Sequence, residues 1–392
     1  MRPLDGITVV TLEHAVAAPF ATRQLADLGA RVIKIERPGV GDFARAYDNR
    51  VDGMASYFVW INRSKESLTL DVKNAESRKI LSQLVGKADV LVQNLGPGAA
   101  ARLGLSVDAL RPAHPGLIVC DISGYGKDGP YRDKKAYDIL IQAEAGLLSV
   151  TGTPDDPSRA GVSVADIAAG MYAYSSILAA LIQRGRTGKG SHIEVSMLEA
   201  LGEWMSNPMY YAFKGNTPPP RAASSHPTIY PYGPFRTGDG KTVLLGIQNE
   251  REWALFCKEV LQQPEVATDE RFNTNVLRNQ NRAVLRELIE DIFSHLDAAQ
   301  VTERLDRASI GNANINTMNA FWEHPQLKAR KRWRSVQSPV GEIPALLPPG
   351  INDSFDYRLD PIPALGEHTA SILHELGYAD TDIHRLREAG AI

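Results

Sequence analysis

The chain has 392 residues, more than a single hydrophobic core usually serves, so two domains are expected. Apolar residues make up 43% and charged residues 23%, the balance of a soluble globular protein. A formal charge of −3 without Lys/Arg blocks gives no electrostatic case for nucleic acid or an anionic membrane, and two cysteines, Cys120 and Cys257, make neither a metal cluster nor a disulfide framework.

In chain order, Met1–Gly6 lacks the apolar core of a signal peptide, which with the cysteine usage points to a reducing cytoplasm. Ile7 to Leu12 is a β-branched run that reads as a buried strand. Pro19 opens a helical pattern through Leu25 and Leu28 that stops at Gly29, and Arg31 to Ile35 is a second strand followed by Glu36. Strand, helix and strand in this order make a βαβ unit and imply a parallel sheet. The pattern recurs with Ser67 to Leu70 extended, a helix from Ala75 to Val85, a strand at Val90 to Val92, and Leu117 to Ile122 extended. The fold class is therefore α/β, with a large Rossmann-like doubly wound domain.

Ala160 to Gly170 is a run of small and apolar residues interrupted by Asp166, and Met171 to Leu181 continues it as a buried helix. The apolar part around Ile177 to Ile182 is too short to span a bilayer. Proline and glycine between Lys214 and Pro234 mark a linker. A strand at Thr242 to Gly246 then opens a smaller α+β module, with helices near Trp253 to Val260, Arg282 to His295 and Ala299 to Arg307. A break at Pro344 to Pro349 precedes a last helix from Thr369 to Leu376. The expected division is residues 1–213 and 330–392 for the large domain, 214–234 for the linker and 235–329 for the small domain.

The residues that could do chemistry are few. The first strand leads to Ala17-Ala18-Pro19, not to a glycine-rich turn, so neither a dinucleotide fingerprint nor a P-loop is present. The nine histidines are scattered without metal-ligand spacing; only His14 and His226 lie in turn-rich contexts. Asp166 has two readings: a helix N-cap, or a carboxylate left facing a pocket where it can attack an acyl carbon. Two strand ends carry a grip for an anion: Arg37 after the second strand, and Gln93-Asn94-Leu95-Gly96-Pro97-Gly98 followed by Arg102.

Together with Pro3–Gly6, Gly29–Glu36, Leu70–Lys73, Asn94–Gly98, Thr187–Gly190 and Leu365–Thr369, these stretches resemble the class III CoA-transferases almost end to end. That superfamily includes formyl-CoA and carnitine CoA-transferases and α-methylacyl-CoA racemase. The resemblance implies that Asp166 is the nucleophile, that Asp138 is an auxiliary carboxylate, and that CoA meets Val16, Ala17, Arg37, Leu70, Asn94, Leu95, Gly96, Arg102, Lys135 and Tyr137. It implies an interlocked homodimer, coenzyme A thioester as substrate, no permanently bound cofactor and no metal. Oxalate-handling members carry Gln where Val16 stands and a glycine-rich loop not found here, whereas Gly41 to Asp48 looks like members acting on C4–C5 dicarboxylates such as itaconate or mesaconate. In that reading Arg45 holds the acceptor's distal carboxylate and succinyl-CoA is the donor. Asp166 is expected to be ionised at neutral pH, favoured by helix N-terminal amides. Two alternatives are a racemase-like isomerase, disfavoured because Tyr137-Asp138 stands where racemases place His-Asp, and a non-catalytic acyl-CoA-binding paralogue.

Overall fold

Six strands form the centre of the larger unit in the computed structural model, which describes residues 1–392. They are β1 (Thr8–Leu12), β2 (Arg31–Glu36), β3 (Lys65–Thr69), β4 (Val90–Gln93), β5 (Ile118–Ser123) and β6 (His192–Ser196). Their order is β3-β2-β1-β4-β5-β6, and every pairing is parallel. Val10 lies between Ile33 of β2 and Leu91 of β4. The β-branched runs exist because both faces of these strands are covered. On one face Val9, Val32 and Val92 pack with Leu25, Ala169 and Ile177; on the other Val10, Ile33 and Leu91 pack with Ile80, Leu84, Ile372 and Ile383. The strand order reverses between β1 and β4, which opens a crevice at their carboxyl ends.

The helix bearing Asp166 runs from Val164 to Thr187, longer than its sequence pattern indicated. By length and composition it could cross a membrane, yet Ala165, Ala168, Ala169, Ala173, Ile177 and Ala180 belong to the core. It lies close to the helix Ala17–Asp27 because residue 170 is glycine: a Cβ there would stand 2.7 Å from the Ala17 carbonyl oxygen.

The chain divides into one unit of residues 1–146, 160–206 and 327–392 and a second of residues 147–159 and 207–326. The sequence-based boundaries differ at 147–159 and 207–213, which fall in the second unit, and at 327–329, which fall in the first. Residues 147–159 were assigned to the large domain, and the linker 214–234 overlaps β7 (Tyr232–Arg236). In the second unit β7, β8 (Thr242–Gly246) and β9 (Gly311–Asn314) form an antiparallel sheet, and Phe235, Trp253, Phe256, Ile289 and Phe293 share its core. Back in the first unit, the expected break at Pro344–Pro349 overlaps a hairpin of β10 (Trp333–Ser338) and β11 (Gly341–Leu346). Pro344 stands opposite Ser335 in this two-stranded sheet, where a missing N–H is tolerated at an edge. A final helix, Asp380–Glu388, is too charged to show an apolar pattern and also went unread.

Charge is buried where β1 ends, beside the middle of β2 and the start of β3. Glu13, Lys34, Lys65 and Asp42 are all inaccessible. Lys65 Nζ meets Glu13 Oε1 at 2.6 Å, and Lys34 Nζ meets Glu13 Oε1 at 3.3 Å and Asp42 Oδ2 at 2.7 Å. Thr11 and Thr22 donate to the other Glu13 oxygen at 2.9 and 2.6 Å. Burial alone would raise the Glu13 carboxyl, but Lys65 and Lys34 hold it at about 2, while burial pulls the Lys65 ammonium down to about 8. Removing one member leaves an unpaired buried charge. Glu13→Ala is therefore expected to lower the unfolding free energy by about 3–5 kcal/mol. Urea denaturation reads this as a lowered midpoint, whereas Lys79→Ala, which breaks the exposed Lys79–Glu76 pair, should leave the midpoint unchanged.

Candidate functional site

Asp166 is the third residue of its helix, in the first turn but not at the cap. Ser163 occupies the cap position and makes no side-chain cap bond. The cap is supplied from elsewhere by Asp138, the first residue of the helix Asp138–Glu144. Its Oδ1 accepts the Ala165 N–H at 2.8 Å and the Asp166 N–H at 3.4 Å. Its Oδ2 accepts from Gln142 Nε2 at 2.6 Å, and Gln142 Oε1 in turn accepts the Ala160 N–H at 2.9 Å. The two readings of Asp166 thus separate onto two residues: Asp138 caps the helix, and the Asp166 carboxylate stays available for chemistry.

The backbone amide of Ala17, the first residue of the helix Ala17–Asp27, favours the ionised form of the Asp166 carboxylate. Burial first, and the negative charge of Asp138 second, outweigh that single donor and push the Asp166 carboxyl up to about 7. The expectation of full ionisation at neutral pH is corrected accordingly. The helix-end amides counted on for that purpose are already taken by Asp138.

Aromatic rings gather on the 3₁₀ helix Phe43–Ala46 and the segment after it. Burial, and then the charges of Asp42 and Asp166, push the Tyr47 phenol up to about 12. Tyr47 touches Phe43 and Tyr57, Phe43 stacks on His14 at 5.3 Å, and Tyr57 meets Trp60. Phe43, Tyr47 and Trp60 are exposed, so these rings offer an apolar wall to a ligand.

The candidate CoA contacts fall at the carboxyl edge of the sheet or just before the Asp138 helix. Val16 and Ala17 are buried in the turn after β1; Arg37 follows β2 and is exposed; Leu70 follows β3 and is buried. Asn94, Leu95 and Gly96 follow β4. The Asn94 side chain is engaged with the β1 turn, its Oδ1 accepting the His14 N–H and its Nδ2 donating to the His14 carbonyl, both at 2.9 Å. That reciprocal pair ties the two sides of the crevice, and the Asn94 N–H adds a bond to the Leu12 carbonyl at 3.3 Å. Arg102 is exposed, with one long contact to the Pro97 carbonyl at 3.5 Å, and Lys135 and Tyr137 are exposed next to Asp138. A cavity of about 390 Å³ beside Pro38, Gly39, Thr69, Gly366 and Arg387 adjoins Arg37 in the chain.

Arg45 is not free to hold a substrate carboxylate. Its Nε and Nη2 donate to the two oxygens of Glu36 at 2.8 and 2.7 Å, and its guanidinium lies 3.6 Å from the Phe58 ring centroid. A bidentate pair with a buried acid satisfies the group. His226 is likewise a satisfied histidine, its Nδ1 accepting N–H groups of Thr228 and Ile229 at 3.2 and 3.0 Å. No group of three His, Cys, Asp or Glu side chains is placed to hold a metal ion.

A doubly wound parallel sheet, with a part-buried carboxylate at a helix start and basic residues beyond neighbouring strand ends, is the frame of an α/β enzyme. Residues 4–369 match the family described as CoA-transferase family III, and the chain belongs to that family. It is similar to succinyl-CoA:glutarate CoA-transferase of Homo sapiens, 34% identical with 100% of this chain and 90% of the relative covered. It is also similar to acetyl-CoA:oxalate CoA-transferase of Acetobacter aceti, 37% identical with 84% of each chain covered. Among solved structures, a CaiB/BaiF family protein from Brucella suis superposes with a TM-score of 0.85 at 36% identity, covering 96% of this chain and 99% of that one.

A carboxyl raised to about 7 is mostly protonated at pH 6 and mostly ionised at pH 8. If the ionised form reacts, kcat/KM should rise with pH through an acid limb near that value. Asp138→Asn keeps an oxygen for the Ala165 and Asp166 amides but removes the neighbouring charge, so the limb should move to lower pH. It should stay above the ordinary carboxylate range because burial is the larger cause. Initial rates from pH 5 to 9 measure both limbs.

Proposed function

We propose that this CoA-transferase moves CoA from succinyl-CoA to a C4–C5 dicarboxylate such as glutarate or itaconate, with Asp166 as the nucleophile. The observation that carries the reading is the division of labour between two carboxylates: Asp138 holds the helix amides, and the Asp166 carboxyl is left raised to about 7 by burial and by Asp138. The Asp166 carboxylate attacks the thioester carbonyl, forming an aspartyl mixed anhydride and releasing CoA thiolate. The thiolate attacks the aspartyl carbonyl, giving an enzyme–CoA thioester and freeing the donor acid. The acceptor carboxylate attacks that thioester to form a second anhydride and release the thiolate again. Attack of the thiolate on the acceptor carbonyl yields the new acyl-CoA and restores Asp166. Exclusion of water preserves the activated acyl group between steps.

Arg37, Arg102 and Lys135 would meet the CoA phosphates, and the backbones of Val16–Ala17 and Leu95–Gly96 the rest of the cofactor. The family resemblance supports a homodimer working in the cytoplasm. The transferase names of the relatives and the tyrosine at position 137 favour CoA transfer over isomerisation.

Asp166→Ala should bind CoA as the wild type does while turnover falls by roughly three or more orders of magnitude. Wild-type protein mixed with acyl-CoA and then hydroxylamine should carry a hydroxamate on Asp166, seen by peptide mass spectrometry. Turnover near the wild-type level in the alanine variant would remove Asp166 from the mechanism. With succinyl-CoA as donor, glutarate and itaconate should be accepted well ahead of oxalate, butyrate and carnitine, as followed by chromatography of the CoA esters. Preference for butyrate or carnitine would exclude a dicarboxylate site and leave the Asp166 chemistry standing.

A further inference from the structure

Asp42 is fully buried, yet each of its polar atoms is in use. Oδ2 takes the Lys34 ammonium at 2.7 Å. Oδ1 accepts the Ala15 N–H at 3.1 Å and the Ala44 N–H at 2.9 Å, and the Asp42 N–H donates to Glu36 Oε1 at 2.9 Å. The first Oδ1 bond reaches the turn after β1. Ala15 has φ of 60°, a left-handed conformation that a residue with a Cβ adopts only when its surroundings hold it there. Val16 follows as the cap of the next helix and makes no side-chain cap bond; Ala17 comes next, its carbonyl oxygen 2.7 Å from where a Cβ of Gly170 would stand, four residues past Asp166 on the same helix. The second Oδ1 bond reaches the short 3₁₀ helix Phe43–Ala46, which with Tyr47 supplies the aromatic wall, and the Asp166 charge acts on the Tyr47 phenol.

We infer that Asp42 is a positioning residue for acyl transfer, fixing the strained Ala15 turn and the Phe43–Tyr47 segment so that the Ala17 amide and the aromatic wall meet the Asp166 carboxylate together. The inference rests on the reading of Asp166 as nucleophile. Lys34 is the reason Asp42 does not shift: it ties the carboxylate to Glu13, the residue just past β1. Two loops from different strand ends are thereby referenced to one buried oxygen. A misplacement of about 1 Å at a reacting group can cost on the order of a hundredfold in rate, so this referencing has kinetic consequences.

The test is Asp42→Asn, which keeps an acceptor oxygen but no longer answers the Lys34 charge. If the variant folds by circular dichroism and binds CoA as the wild type does, kcat should drop about 10- to 100-fold with little change in KM for acyl-CoA. Adding Ala15→Gly should restore part of kcat, because glycine takes a positive φ without a holding bond. Wild-type kcat in the folded single variant, or no recovery in the double variant, would overturn the inference. Should Asp42→Asn not fold, Ala15→Val in the otherwise native chain replaces it. A β-branched residue resists the left-handed turn, so kcat should fall with CoA affinity kept, and unchanged kcat would overturn the inference. If Asp166→Ala remains active, the nucleophile assignment itself fails; if Asp166→Ala is dead and the Asp42 variants are normal, only the positioning role fails.

Discussion

The ionic cluster of Glu13, Lys34, Lys65 and Asp42 sits where the parallel sheet meets the turn after its first strand, and water reaches none of its members. Two cations and two anions cancel inside it, and Thr11, Thr22, Asn62 and the Pro19 carbonyl take up remaining donors and acceptors. Such a cluster is not needed for a stable core, since apolar side chains of similar volume would pack as well or better. What it provides is direction. A hydrophobic plug would not distinguish one conformation of residues 13–17 from another, whereas hydrogen-bonded charges in a low-dielectric interior tolerate only one arrangement. The crevice between β1 and β4 inherits its shape from that arrangement, and the His14–Asn94 pair carries it across to the second wall.

The site built on this base keeps one carboxylate reactive by satisfying the other. A carboxylate ringed with donors is a stable anion and a poor nucleophile. Asp138 takes the ring of donors, and Asp166, in the same electrostatic field, is left poised near neutrality. The exposed Arg37 and Arg102 lie beyond the ends of β2 and β4, and the exposed Lys135 lies next to Asp138.

Much of the fold was legible in the sequence because the parallel strands are β-branched and buried on both faces, as in Ile7–Leu12 and Arg31–Ile35. Asp166 was legible for a similar reason, being an acid in a run of small residues. The hairpin around Pro344 and the helix Asp380–Glu388 were not, because their stability comes from tertiary packing of Val336, Ile343, Ile383 and Leu386 and not from local pattern. Arg45 was misassigned since its partner, Glu36, lies on a neighbouring strand end, and a sequence does not reveal which charges cancel each other. Asp42 went unnoticed, although a signal existed. Lys34 is a charge in the middle of a β-branched strand, and Glu13 directly follows another; a lysine in a buried strand demands an acid nearby. Gly170 carried a signal too, four residues after Asp166 on the same helix, where close approach of a second backbone requires the absent side chain.

The larger unit is assembled from three separated stretches, and its last helices complete one face of the sheet. During synthesis on a ribosome the strands β1 to β5 emerge well before Ile372, Leu373, Ile383 and Leu386, so Val10, Ile33 and Leu91 lack part of their cover until translation is nearly over. A nascent chain of this protein thus spends most of its elongation with an apolar sheet face incompletely covered, a state that holdase chaperones recognise.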